Sequence, residues 1–355
     1  MRFDLDDQQR EFQRSVDEFL AAECPLQRAL QPHDTGAPDI KLWRGLMELG
    51  IGGMLVPESH DGLGLGLLDL AVVAESVGRH AAPGPFLDHA LATLAVVLAG
   101  TLEQKERWLR SLARGTARAT VALGEGGGHW MAETWTIEAG STLTGEKRFV
   151  PHAEDADLIV VGCQGGKLAV VARGAPGLKI TPVPSTDAGR PLATVSFAQT
   201  PCTVLGEAAG ARLVDAGLVL LAADAYGGAS RCVDMSVEYS KLREQFGRPI
   251  GAFQAVKHQL ADMALAVEPQ VGLYWYAAHA FDADPAAAPA AAAIAKASLT
   301  ETYPRIARRA IEAHGGIGYT WEFGVHVWLK RALFDQAFLG MPQLHRARMA
   351  HLSGW

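Results

Sequence analysis

Apolar positions in the first third of the chain recur with helical spacing. Phe12, Val16, Phe19 and Leu20 fall at i, i+4, i+7 and i+8, one stripe of a helix, and Asp6 or Asp7 stands where a side-chain cap would open it. Residues 70–77 and 91–98 are apolar nearly all round, which predicts helices buried on every side. From about residue 119 to 206 the period changes. Segments 134–138 and 141–144 are short and β-prone, with Gly140 between them. Runs 158–161 and 168–171 are apolar and rich in β-branched residues, and Gly165-Gly166 splits them, a hairpin signal. Pro182, Pro184 and Pro191 punctuate the remainder of that region. From Glu207 the helical pattern returns over 211–226, 229–243, 252–276, 290–314 and 322–339, with a Pro/Ala loop at 282–289. Pro304 is expected to kink or split the fourth of these, and Gly315-Gly316 to stop it.

The pattern divides the chain into a helical region (1–118), a small antiparallel β region (119–206) and a second helical region (207–355), an α+β arrangement of several domains. A length of 355 residues is enough for that, and 49% hydrophobic with 20% charged residues is ordinary globular composition. A net charge of -7 argues against a nucleic-acid partner. Cys24, Cys163, Cys202 and Cys232 lie far apart without a CxxC pair, so no disulfide framework or zinc site is expected, and the twelve histidines supply no metal-binding spacing. The charged opening MRFDLDDQQREF has no apolar signal core, and the longest apolar runs fall short of the roughly 20 residues of a membrane span. A cytoplasmic location with no membrane partner is the expectation.

Two stretches carry candidate chemistry. Gly62-Leu-Gly-Leu-Gly66 has no clear strand before it and no acidic residue at dinucleotide spacing, so it reads as a turn before a helix. Residues 239–263, YSKLREQFGRPIGAFQAVKHQLADM, read as a helix ending near Gly247, a loop, and a helix opening near Phe253. Arg243, Gln245 and Gln254 gather at that corner beside the Phe246 ring, a set suited to a nucleotide diphosphate and its base, though equally compatible with a solvated helix end.

The spacing R-x-Q-F-G-x-x-I-x-x-F-Q in that stretch resembles the C-terminal signature of the acyl-CoA dehydrogenase family. Three further stretches resemble the same family in the same order: LVPESHDGLGLGLLDL (55–70), LTGEKRFVPHAEDADLIVV (143–161) and EAHGGIGYT (312–320). The resemblance implies an N-terminal helical domain, a middle β-barrel domain and a C-terminal four-helix bundle. It also implies FAD as cofactor, an acyl-CoA substrate desaturated between its α and β carbons, and a flavoprotein electron acceptor. Desaturation needs a carboxylate to take the α-proton while the β-hydrogen leaves as hydride.

At both places where the family keeps that carboxylate the chain has none. One position, aligned on Ala332 and Gly340, is Leu339; the other, counted back from Arg243, is Gly217. Asp335 and Asp215 stand nearby as weak candidates for a displaced base. The contacts expected around the flavin ring are also altered: VALGEGGGHW (121–130) lacks the family's hydroxyl residues, and Phe149-Val150-Pro151 replaces its W-[IS]-[TS] triplet. The residues that in this family reach a neighbouring subunit's FAD are kept, namely Arg243, Phe246, Gln254, Glu312 and Gly316, and Gln245 and Gly315 beside them complete the candidate cofactor-binding set. The split implies pairing with a homologous subunit in an α2β2 heterotetramer of the kind known in actinobacteria for bulky, sterol-type thioesters. A complete dehydrogenase with a displaced Asp, as a homo-oligomer, and a redox-inactive scaffold that holds an acyl thioester are the alternatives.

Overall fold

A computed structural model of the chain describes residues 4–25 and 39–354. Helices come first: α1 (Asp7–Glu23), α2 (Ile40–Glu48), α3 (Leu67–Arg79), α4 (Phe86–Ala99) and α5 (Leu102–Ala113). Asp6 caps α1 in a reciprocal box with Gln9, and Val16 and Leu20 of the apolar stripe are buried. The 62–66 segment is the turn before α3. Its Gly66 N–H donates to the Asp69 carboxylate at 2.9 Å, and the next N–H, of Leu67, donates to Asp282 at 2.7 Å.

Seven strands then form two sheets. One has the order β1-β3-β4-β7, built from Ala119–Ala122, Leu158–Cys163, Lys167–Ala172 and Thr203–Val204. The other has the order β2-β6-β5, built from Thr142–Pro151, Leu192–Pro201 and Leu178–Val183. The β3–β4 pair is the expected hairpin, turning at Gly165 and Gly166, which both take positive φ. Residues alternate between its two faces as strand geometry requires. Val160, Leu168 and Val170 join the core shared with the helices, whereas Ile159, Val161 and Val171 join the core between the sheets.

The sheets do not close into the expected barrel. Closure would need a ladder between β1 and β2. There the Arg148 N–H meets the Gly124 carbonyl at 2.8 Å, just past β1, and the next residues turn away to pair Glu125 with His129. Residues 134–138, expected as a strand, form a short 3-10 turn at Ala132–Thr134 and then extended chain that joins neither sheet.

The C-terminal third is helical: α6 (Gly210–Leu242), α7 (Gln254–Val267), α8 (Val271–Ala283), α9 (Ala288–His314), α10 (His326–Ala337) and α11 (Pro342–Leu352). A two-residue-strand hairpin, β8 (Glu244–Gln245) and β9 (Arg248–Pro249), comes after α6. Three expectations are corrected. The expected pair of helices at 211–226 and 229–243 is one helix, because Gly227 and Gly228 serve packing. A Cβ on Gly227 would run into the Glu75 carbonyl of α3, and one on Gly228 into the Tyr303 hydroxyl of α9. Pro304 does not break α9; its neighbours Tyr303, Ile306 and Ala307 are buried, and that packing outweighs a local cost of about 3 kcal/mol. The expected 252–276 helix is divided instead at Glu268–Gln270, where Pro269 lacks the N–H that would continue it.

α6 is the spine. It packs on α3 on one side and on α9 on the other. Gly228 opposes Tyr303 and Tyr239 stacks on His314 at 4.6 Å, so α6 and α9 run parallel and end together.

Candidate cofactor and catalytic site

Leu339 and Gly217, the two positions where the family's base is expected, meet in space. Leu339 is fully buried in the turn after α10, with φ 57°. Its Cδ1 lies 2.5 Å from where a Cβ on Gly217 would stand, and a Leu91 methyl of α4 lies 3.3 Å from the same point. Aliphatic carbon fills the spot. The turn is also clamped. His345 of α11 donates from Nε2 to the Leu339 carbonyl at 2.9 Å, and the Lys296 ammonium donates to the carbonyls of Asp335 and, at 3.3 Å, Gln336. Burial pushes the Lys296 amine down to about 7 and the His345 imidazole down to about 4. A neutral His345 leaves the donating tautomer in place at neutral pH.

The two aspartates nearby are each set among other charged groups. Asp335 is fully buried among charged groups on α6, α10 and the 187–190 turn. Burial, and then the Asp224 carboxylate beside it, lift its pKa well above the usual carboxylate range, which favours its neutral form. Asp224 in turn receives Arg190 at 2.5 Å, and Arg331 Nε reaches Asp187 at 2.5 Å. Asp215 is buried against Arg348, with N–O 2.6 Å; burial lifts its pKa in spite of that cation.

The wall expected to hold the flavin ring is closed on the protein itself. Glu125, within 121–130, binds the buried Lys147 ammonium at 2.7 Å and accepts from the Thr136 N–H and hydroxyl at 2.9 and 2.7 Å. Burial works against the Glu125 carboxylate, but Lys147 and Thr136 hold it below its ordinary range. The Trp130 ring at the end of the loop stacks on Phe149, centroids 6.3 Å apart, and meets Phe338 edge-on at 5.3 Å. Phe149 heads the altered triplet, and Pro151 at its end offers no donor. A cavity of about 290 Å³ lies here between the β2-β6-β5 sheet, Trp130 and α10, and neither Asp335 nor Asp215 lines it.

The other predicted residues sit at the far end of α6. Arg243 stands just past its last turn. In the β8–β9 hairpin Phe246 and Gly247 both have positive φ, 55° and 79°, a type I′ turn that leaves the Phe246 ring 92% exposed. Phe253 supports it edge-on at 6.0 Å, and the Arg248 guanidinium lies over the Phe253 ring at 4.3 Å. Gln254 opens α7 and pairs with His258 at 3.0 Å; the Gln245 amide turns back to the Glu244 carbonyl at 2.8 Å. Glu312, Gly315 and Gly316 are exposed at the end of α9, brought to the same end by the Tyr239–His314 stack. The structure thus gathers all seven predicted cofactor residues at one end. An exposed guanidinium, amides and an aromatic face there fit an adenosine diphosphate. Trp130, Phe149, Phe334 and Phe338 give the ring wall an aromatic side, and Ser185, Thr186 and Asp187 a polar one.

The two ends are far apart. At about 1.5 Å per residue, the helical run from Gly217 to Leu242 spans about 38 Å. That is longer than an extended FAD, so the outer corner and the Leu339 spot cannot hold the two ends of one cofactor. Sequence reasoning missed Leu91, Lys296, His345 and the Glu125–Lys147 pair; the one signal available was a lone lysine, Lys296, inside the alanine-rich run 291–297.

The family description for the acyl-CoA dehydrogenase N-terminal domain matches residues 6–116, and that for the C-terminal domain matches residues 212–352. Acyl-CoA dehydrogenase IpdE2 of Mycolicibacterium smegmatis is 34% identical over 314 residues, covering 88% of this chain and 87% of its own. Among solved structures, a variant of the Tcur3481-Tcur3483 steroid ACAD superposes with TM-score 0.91 at 31% identity, covering 98% of each chain. The ChsE4-ChsE5 complex from Mycobacterium tuberculosis gives TM-score 0.91 at 28% identity, covering 100% of this chain and 99% of its own. The chain belongs to the acyl-CoA dehydrogenase family, whose cofactor is FAD.

Proposed function

We propose that this chain is the base-less half of a hetero-oligomeric acyl-CoA dehydrogenase. A homologous partner supplies the carboxylate and the flavin-ring pocket, and this chain grips the adenosine diphosphate of the partner's FAD through Arg243, Gln245, Phe246 and Gln254. The observation that carries the reading is the aliphatic Leu339–Gly217 contact, which puts no proton-accepting side chain at either family base position, while the exposed corner lies about 38 Å away along α6. A corner so far from its own chain's base position serves a flavin seated elsewhere.

When bound, FAD supplies the two-electron acceptor for α,β-desaturation. This chain's residues orient and neutralise. The Arg243 fork suits a diphosphate bidentately, and Phe246 offers a flat face to a base. No residue at the Leu339–Gly217 contact takes a proton, so proton abstraction from the acyl thioester falls to the partner. The steroid enzyme among the similar structures supports a bulky, lipid-derived acyl group, with electrons leaving to an acceptor flavoprotein.

Co-expression with a homologous dehydrogenase subunit from the same genome tests this. The single chain is expected to purify nearly free of flavin and without turnover, and the complex to carry FAD and desaturate. Full FAD loading and turnover by the single chain would overturn it.

A further inference from the structure

The two halves of the outer corner come from distant parts of the chain, and one residue is bound to both. Arg243 and the β8–β9 hairpin follow α6, whereas Glu312, Gly315 and Gly316 lie at the end of α9. Tyr239 stands one turn before Arg243. Its carbonyl accepts the Arg243 N–H at 2.8 Å, and the Arg243 carbonyl accepts the Ile250 N–H at 2.8 Å, which closes the hairpin at its base. The ring of the same Tyr239 reaches α9 and stacks on His314, its last residue, at 4.6 Å and 29° from parallel.

The loop after α9 returns to that ring. Phe323 meets Tyr239 edge-on at 5.8 Å and His314 at 4.9 Å, so residues 315–322 leave and rejoin one cluster of three rings. Inside the loop Gly318 is buried, and a Cβ there would lie 2.4 Å from the Ile311 carbonyl. His314 is itself buried. A carbonyl only accepts, so the 2.6 Å contact with the Ala310 carbonyl puts a proton on Nδ1 and fixes the plane of the imidazole. Burial pushes that imidazole below its ordinary range, which leaves the stack uncharged at neutral pH.

We propose that Tyr239, through its stack on His314, is a positioning residue for the cofactor: it sets the spacing between Arg243 on one side and Glu312, Gly315 and Gly316 on the other. It rests on the reading of this corner as the grip on the partner's FAD. A diphosphate is short and its charge is fixed in place, so a planar guanidinium fork serves it only when the groups facing the fork stand at a set distance. Among the described residues the Tyr239 hydroxyl has no hydrogen-bond partner, so the ring is the part in use. The two helices are also held together far from the corner, as where Gly228 meets Tyr303. Loss of the Tyr239 ring therefore loosens the helix ends and leaves the helix pair in place.

The test is fluorescence titration of the flavin-depleted co-expressed complex with FAD and with FMN, which has the same ring system but no adenosine, well below the melting temperature of each variant. Tyr239→Leu is expected to weaken FAD binding at least about tenfold, the loss of one charge-assisted hydrogen bond, and to leave FMN binding unchanged. Tyr239→Phe keeps the stack and is expected to match wild type with both flavins. His314→Leu is expected to repeat the effect of Tyr239→Leu. A residue that only stabilised the fold would weaken the two flavins alike. Unchanged FAD affinity in Tyr239→Leu, equal weakening of FAD and FMN, or failure of Tyr239→Phe to restore FAD binding would each overturn the proposal. Arg243→Ala separates this role from the reading on which it rests. If that variant weakens FAD and Tyr239→Leu does not, the positioning role fails and the shared grip stands. If Arg243→Ala leaves FAD affinity unchanged, the grip fails and the positioning role with it.

Discussion

Leu339 packs one methyl 2.5 Å from the place where Gly217 would carry a Cβ, so the side chain of one family base position occupies the space left by the other. The relationship is reciprocal: the glycine admits the leucine, and the leucine forbids any larger residue at 217. Gly217→Ala is therefore expected to overpack the site and destabilise by about 1–3 kcal/mol. Leu339→Ala alone is expected to cost about 2–5 kcal/mol as a cavity. The double variant should cost clearly less than the two together, because the new methyl enters vacated space. Denaturant unfolding of the four proteins measures this, and additive costs would contradict the packing described.

Asp335 supplies a prediction with a definite pH direction. Its folded pKa lies well above that of the unfolded chain, chiefly through burial and then Asp224. The folded state therefore holds a proton that the unfolded state has released. Wild-type stability should fall as pH rises from the ordinary carboxylate range near 4 toward the raised folded value. Asp335→Asn mimics the neutral acid, so it should gain stability relative to wild type over that window and match it below. It should also leave the turnover of the co-expressed complex intact. A displaced catalytic base would instead lose activity on this change.

The Glu125–Lys147 pair ties the 121–130 loop to β2 with Lys147 fully buried. Lys147→Met leaves the Glu125 carboxylate without its cation and is expected to cost about 3–5 kcal/mol. The combined change with Glu125→Gln should recover much of that. A thermal melt of each variant is sufficient, and equal losses in both would show that the charge pairing is not what holds the loop.

At the outer corner the expectation is the opposite balance. Arg243 and Phe246 are exposed, so Arg243→Ala and Phe246→Ala should change stability by no more than about 0.5 kcal/mol. Both should lower the flavin-to-protein ratio of the co-expressed complex, and Arg243→Lys should not restore it, because a point charge does not replace a planar fork. Unchanged flavin content in all three would remove the corner from cofactor binding.

What could be read from the chain and what could not divide along physical lines. The resemblance to the family, carried over residue by residue, pointed to the corner and to the apolar pair Leu339 and Gly217, because a missing carboxylate is visible without coordinates. Local conformational signals misled wherever a partner segment decided the outcome. Gly227-Gly228 reads as a helix break but is a close crossing with α3 and α9, and Pro304 reads as a place to split the helix but lies within one continuous helix among buried neighbours. The open sheets, the Lys296 and His345 clamp and the charge network around Asp335 depend on pairings between distant segments, which a single sequence does not encode in any period.

The type I′ turn at Phe246-Gly247 has a kinetic consequence. The aromatic ring is already presented before any other subunit arrives, on a hairpin too short to rearrange. Assembly at this corner then involves no loop ordering, and encounter should be governed by diffusion and charge alone. A single-exponential association with no slower ordering phase is the signature of such a rigid contact.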